Sequence, residues 1–223
     1  VWALAVVVVL GAAGAFGYWW LNRSPRPASV SDAIKRFHQT QPADATHVGG
    51  PAVGVYVYAT TGHEHITAGD ITHTYPAKTT LTVTDTSCGL RLRWDALAGR
   101  WNQADLCHTA LGWRLVHYTE SHEFLSVQDI HDYTCAGSPV IVCKSKDGVM
   151  TLTSDVLGPA HLRISQKVTG KSVNTGTAEV WLLPDGLPQR AEVSNTGSST
   201  VLGNHVVYTE SASFTLTSTT PLQ

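Results

Sequence analysis

His63-Glu64-His65 is the tightest grouping of chemically competent side chains in this sequence. On a strand, residues two apart project from the same side, ~6.5–7 Å from one another, which suits two imidazoles sharing a zinc or copper ion. His73, His117, His122 and Glu123 are available to complete such a set. The eleven histidines are spread over many segments, and the alternative is a polar strand end following Gly62. A second grouping, Glu120, Glu123, Asp129 and Asp132 around His122 and His131, has the types needed for general acid–base work. Its polar context reads instead as a solvated loop between strands. Glu210 is different in kind. Val206, Tyr208, Ala212, Phe214 and Leu216 share its parity, so on a strand it falls on the apolar face. A buried carboxylate needs a partner, and Arg190 on the preceding strand is the first candidate, with Arg163 and Arg93 next. Glu210 is then either half of a structural ion pair or the polar anchor of a ligand. Trp113 and Trp181, with Trp94 and Trp101, serve as core or as the walls of a groove. GxSxG, P-loop and GxGxxG motifs are all absent, so neither a catalytic residue nor a cofactor is expected.

The elements that must carry these residues are strands. Val53, Val55, Val57 and Ala59 alternate with Gly54, Tyr56, Tyr58 and Thr60, and Leu81 and Val83 alternate with threonines. Further candidates lie near 111–115, 122–127, 139–143, 148–154, 161–168, 176–183, 189–195 and 204–217. Turn signals separate them, among them Asp147-Gly148, Gly158-Pro159, Thr169-Gly170, Pro184-Asp185-Gly186 and Gly203-Asn204. The spacing predicts an all-β fold, a curved antiparallel meander or half-barrel of about 10–12 strands, since a flat sheet of that size is uncommon. At its centre, Cys88–Cys107 reads as a hairpin in which Trp94 faces Trp101 and Cys88 faces Cys107. That register sets Leu90 against Asp105 and Leu92 against Gln103, a poor match that calls for a bulge.

Four cysteines, none in a CxxC pair, point to an oxidising compartment, with Cys88–Cys107 and Cys135–Cys143 as the favoured bridges because each closes a local loop. The 15 Lys+Arg against 17 Asp+Glu leave no basic run to neutralise phosphates, so nucleic-acid binding is excluded. Residues 1–22 carry no charge and end in Tyr18, Trp19 and Trp20, the pattern of a transmembrane anchor with an interfacial aromatic belt; a cleaved signal peptide is the alternative. Residues 23–50 form a Pro/Ser linker and a short helix capped near Ser31-Asp32, preceding a β-domain over 51–223. Arg23 and Arg26 after the anchor favour a cytoplasmic β-domain by the positive-inside tendency. The cysteines favour the outside, and we give them more weight.

Trp181–Val193 (WLLPDGLPQRAEV) followed by Asn204–Leu216 (NHVVYTESASFTL) resembles the late strands of LolA-like and LppX/LprG-like envelope proteins. The stretch YVYATTGHEHI, with HTYPAKTTLTV and the Trp-rich cysteine hairpin, is similar to an uncharacterised family of membrane-anchored actinobacterial proteins. The first resemblance implies a curved half-barrel sheltering acyl chains. This chain departs from it in having little helix for a lid and no lipobox cysteine. The expectation is a single-pass cell-membrane protein with an extracytoplasmic β-domain. It is expected to be non-catalytic and to bind an apolar or amphipathic ligand, lipid included, or an envelope protein. The alternatives are a metal-binding or hydrolytic site at His63/His65 and a structural subunit of an envelope complex.

Overall fold

The computed structural model describes residues 50–86, 89–95, 101–109, 112–121, 127–137, 140–145, 150–169, 172–201 and 203–221; between 106 and 134 the description is of the backbone path. These residues form thirteen strands: β1 (Gly54–Ile66), β2 (Ile71–Thr74), β3 (Lys78–Thr86), β4 (Gly89–Asp95), β5 (Trp101–Thr109), β6 (Gly112–Ser121), β7 (Val127–Ala136), β8 (Ile141–Ser145), β9 (Met150–Gly158), β10 (His161–Val168), β11 (Ser172–Leu182), β12 (Pro188–Val201) and β13 (Asn204–Pro221). The all-β antiparallel meander expected from the alternation is present. Short β2, which the sequence pattern does not single out, takes the count past twelve.

From β3 onward each strand pairs with the next in sequence. Long β1 is shared: Gly54–Ala59 pair with β3, while His63–Ile66 pair with β2. The last strand returns to the first, β13 pairing with β1 from Gly54↔Pro221 to Ile66↔Tyr208. Tight reversals make this possible. Gly203, at φ +82° between β12 and β13, supplies the left-handed conformation that a side chain would resist.

Burial follows the two-residue period. On β10 the inward residues are Leu162, Ile164, Gln166 and Val168; on β12 they are Ala191, Val193, Asn195 and Ser199. The inward face is a continuous core, with Tyr58, Leu81, Leu162, Ile164, Leu187 and Val83 its largest fully buried side chains. Each such side chain stabilises the fold by about 1.5–3 kcal/mol. Trp94 packs on Tyr58 at 4.8 Å and edge-on to Phe214 at 5.1 Å, so one aromatic cluster ties β4 to β1 and β13. The Tyr58 hydroxyl donates to the Pro188 carbonyl at 2.8 Å, and burial pushes its pKa upward, keeping the phenol neutral. Cys135 and Cys143 face one another on β7 and β8 and are disulfide-bonded. Closing so short a loop contributes about 2–3 kcal/mol in the chain-entropy model.

Three expectations change. The β4–β5 hairpin is shifted by one residue: Asp95 faces Trp101, Trp94 faces Asn102, and Gly89 faces Cys107. The shift replaces the mismatched pairs with Leu90↔Leu106, Leu92↔Ala104 and Arg91↔Asp105, the last a two-pronged ion pair at 2.9 and 2.8 Å. The bulge is then unnecessary. Second, Asp129 and Asp132 lie on β7 and Glu120 on β6, so that polar stretch is strand and not loop; Glu123 and His122 fall outside the described residues. Third, Arg190 does not partner Glu210, as set out below. Cys88, and with it the Cys88–Cys107 bridge, lies outside the described residues, as do residues 1–49, which hold the expected anchor, linker and short helix. Among the described residues no helix is long and apolar enough to cross a membrane.

Candidate functional site

Reading across the sheet, perpendicular to the strands, gives its interior as rows of directly opposed residues. One row is apolar: Ile164, Ala178, Val193, Ala212 and Gly62 are successive partners on β10, β11, β12, β13 and β1. The next row on the same face, two residues along each strand, is polar. It runs Gln166, Gly176, Asn195, Glu210, Glu64 and, on β2, His73. Strand periodicity alone places all six on the inward side. Glu210 and Glu64, both only 3% exposed, are cross-strand neighbours. Two carboxylates opposed in this way repel unless other groups hold them.

Hydrogen bonds hold them. His73 Nδ1 lies 2.8 Å from Glu64 Oε1, and the Tyr208 hydroxyl donates to Glu64 Oε2 at 3.0 Å. Asn195 Nδ2 donates to Glu210 Oε2 at 2.9 Å, and the Tyr75 hydroxyl donates to Glu210 Oε1. Tyr75 reaches in from the chain after β2, where its N–H binds the Gly62 carbonyl at 3.0 Å and its ring meets Phe214 edge-on at 5.6 Å. The aromatic core therefore fixes one of the donors to Glu210.

At the other end of the row stand acceptors with nothing to accept. Asn195 Oδ1 and Gln166 Oε1 are buried and lack a hydrogen-bond partner. Both lean over Gly176: a methyl group there would overlap Asn195 Oδ1 and come within 3.6 Å of Gln166 Oε1. Glycine at 176 thus makes room for the Asn195 amide, which in turn reaches Glu210.

The residues singled out from sequence divide between two faces. Glu210 is inward, as its parity predicts. Arg190 has the outward parity of β12, faces Thr215 and is paired with Glu192. It stacks over Trp181 at 4.9 Å, and Trp181 lies against the His161 ring at 4.5 Å. Arg163 is outside with Glu179 at 2.6 Å, and Arg93 with Asp95 at 3.1 Å. No predicted arginine is therefore a partner of Glu210. Trp181 and Arg190 meet on the outer face, away from Glu210, while Trp113 is placed by its backbone on β6, opposite Cys135. His63 and His65 lie on β1 with outward parity; His65 Nδ1 is 3.1 Å from the Thr72 hydroxyl and its Nε2 is 3.8 Å from Asp70. Among the described residues no three His, Cys, Asp or Glu converge to hold a metal.

Sequence reasoning passed over Glu64, Asn195, Gln166 and Tyr75. The first three carried a visible signal, since each shares parity with buried neighbours: Tyr56 and Tyr58, Ala191 and Val193, and Leu162 and Ile164. The site's hydroxyls are phenols that donate to carboxylates, an arrangement suited to holding and orienting a ligand.

No family model matches the chain, and no curated protein matches it. Among solved structures it is similar to a porin-like protein from Bacteroides uniformis, 13% identical, over 78% of this chain and 100% of that one, with a TM-score of 0.19.

Proposed function

We propose that this is a non-catalytic domain of the cell envelope, tethered to the membrane by residues 1–22, that binds an amphipathic ligand on its curved sheet. The observation that carries the reading is the meeting of unlike rows. Glu210, with Tyr75 and Asn195, lies one row from the apolar wall of Ile164, Ala178, Val193 and Ala212. Ligand sites commonly combine an apolar lining with a few placed polar groups. The same contrast supports Glu210 as the group that receives a ligand's polar end. The Cys135–Cys143 bridge supports an oxidising address outside the cytoplasm.

The test is native mass spectrometry of the full chain purified from envelope membranes in a mild detergent. Wild type should carry a small-molecule adduct that extracts into organic solvent. Glu210→Gln, which keeps the shape and one acceptor oxygen, should lose at least tenfold of it while melting within a few degrees of wild type. Adduct-free wild-type protein would overturn the reading, as would equal loading of the variant. A protein recovered in its place, in fixed ratio, would favour the structural-subunit alternative.

A further inference from the structure

The two ends of the sheet are unlike. The meander is antiparallel, so β3, β5, β7, β9, β11 and β13 finish at the end where β1 begins, as Gly54 facing Val83 and Pro221 shows. By sequence, the segments joining strands at this end (87–88, 110–111, 137–140, 159–160 and 183–187) contain one charged residue, Asp185. Those joining strands at the opposite end contain Asp70, Arg100, Glu123, Lys146, Asp147 and Lys171. The large hydrophobics exposed among the described residues divide the same way. Val140, Val156 and Leu157, 41–44% exposed, lie at the end poor in charge, and Val173 alone at the other. The three form one patch. Val156 and Leu157 are the last side chains of β9 before Gly158, and because Ile141 faces Ser154, Val140 lies beside them. Turns that face water favour Gly, Asn, Asp and Ser. This one reads Val156-Leu157-Gly158-Pro159-Ala160, with Pro159 exposed and Ala160 held at a left-handed φ of +56°.

Resting on the membrane tether proposed above, we propose that this end of the sheet docks on a phospholipid bilayer, with Val140, Val156, Leu157 and Pro159 at the boundary of headgroups and acyl chains. The tether selects the occupant. β1 starts at this end, and residues 23–49, treated as a flexible chain, span roughly 30 Å back to the anchor, so the bilayer is within reach of these tips. Few charges have to be stripped of water for the tips to enter. The Asp185 carboxylate already accepts from the Leu187 N–H at 3.0 Å. Just behind the tips, on the outer face, Trp181 carries the Arg190 guanidinium over its ring and lies against the ring of His161, the first residue of β10. Tryptophan favours the membrane–water interface, and arginine lays its stem along apolar surface while its charge stays among headgroups. The pair therefore sits at the level that docking by the tips would bring to the headgroups.

Methyl NMR of the full chain in phosphatidylcholine nanodiscs tests the docking. The discs are doped with phosphatidylcholine that carries a spin label near the top of its acyl chain. The methyl signals of Val140, Val156 and Leu157 should lose most of their intensity, while those of Val173, at the opposite end, keep theirs. Leu157→Asp puts a charge into the patch at an exposed position, so it should melt within a few degrees of wild type. It should return Val140 and Val156 to the intensity of Val173, whereas Leu157→Phe should preserve their loss. A chain that stays with the discs but shows equal intensity at both ends would overturn the docking and leave the tether standing. A chain that elutes apart from the discs would sink the tether and the docking with it. Shifts of the Val140, Val156 and Leu157 methyls that follow protein concentration and not lipid would overturn the bilayer in favour of a second copy of this chain.

Discussion

At the scale of the residue, the chemistry lies one position away from where the histidines draw the eye. In His63-Glu64-His65 the two imidazoles share the outward side of β1, and the carboxylate between them points in, to His73 and Tyr208. Removing Glu64 leaves buried donors without an acceptor, so Glu64→Ala should cost roughly 3 kcal/mol. His63→Ala, on an exposed side chain, should stay within about 0.5 kcal/mol of wild type. Urea melts of both variants check the contrast, and a His63 variant as damaging as the Glu64 one would refute it. The inward turn of Glu64 and Glu210 was legible, because strand parity needs only the residues two and four away. Their partners were not, because parity along one strand carries no information on what lies across the sheet. Arg190 shows the difference. It is near Glu210 in the order of strands, yet its side chain is outward and its cross-strand partner is Thr215.

At the scale of the element, register decides which pairs exist. The β4–β5 hairpin could be recognised from its cysteines and tryptophans, but those large residues suggested a pairing that the smaller ones reject. Leucine against leucine and arginine against aspartate outweigh one tryptophan facing another, and a one-residue slip exchanges the faces of the whole strand. The same cross-strand logic operates outside, on β10 and β11, where Arg163 faces Glu179 and donates to it at 2.6 Å. That hydrogen bond is the main reason the Glu179 carboxyl sits below its ordinary range, with Arg163's charge and His161 adding to it. A carboxyl lowered in the folded state stabilises the fold above its unfolded pKa, and this contribution is lost as pH falls through the folded value. Arg163→Met should therefore move the Glu179 midpoint upward toward the ordinary glutamate range and weaken the acid-side loss of stability. A carbon-detected NMR titration of the Glu179 carboxyl reads this directly, and an unmoved midpoint would show that Arg163 is not the cause. The exposure of the pair keeps its effect on stability small.

At the scale of the whole molecule, the pairing of β13 with β1 matters most, and it was the least legible feature. Alternation identifies two long strands at opposite ends of the domain but says nothing about whether they meet. An unpaired edge of this length would offer its backbone to any passing strand. Instead β13 gives Asn204–Thr215 to β12 and Tyr208–Pro221 to β1, so Tyr208–Thr215 is paired on both sides. That doubly paired stretch contains Glu210 and Ala212, members of the polar row and of the apolar row beside it. The two rows thus cross the junction where β13 joins β1, and their geometry depends on that junction staying formed. Amide exchange tests this residue by residue. In an antiparallel edge strand alternate N–H groups point to solvent, so protection alternates. Amides of 209–214 should exchange slowly without alternation, while 218–220, paired with β1 alone, should alternate between fast and slow. Alternating exchange through 209–214 would mean that β13 is an edge in solution, and Glu64 and Glu210 would then no longer be held opposite one another.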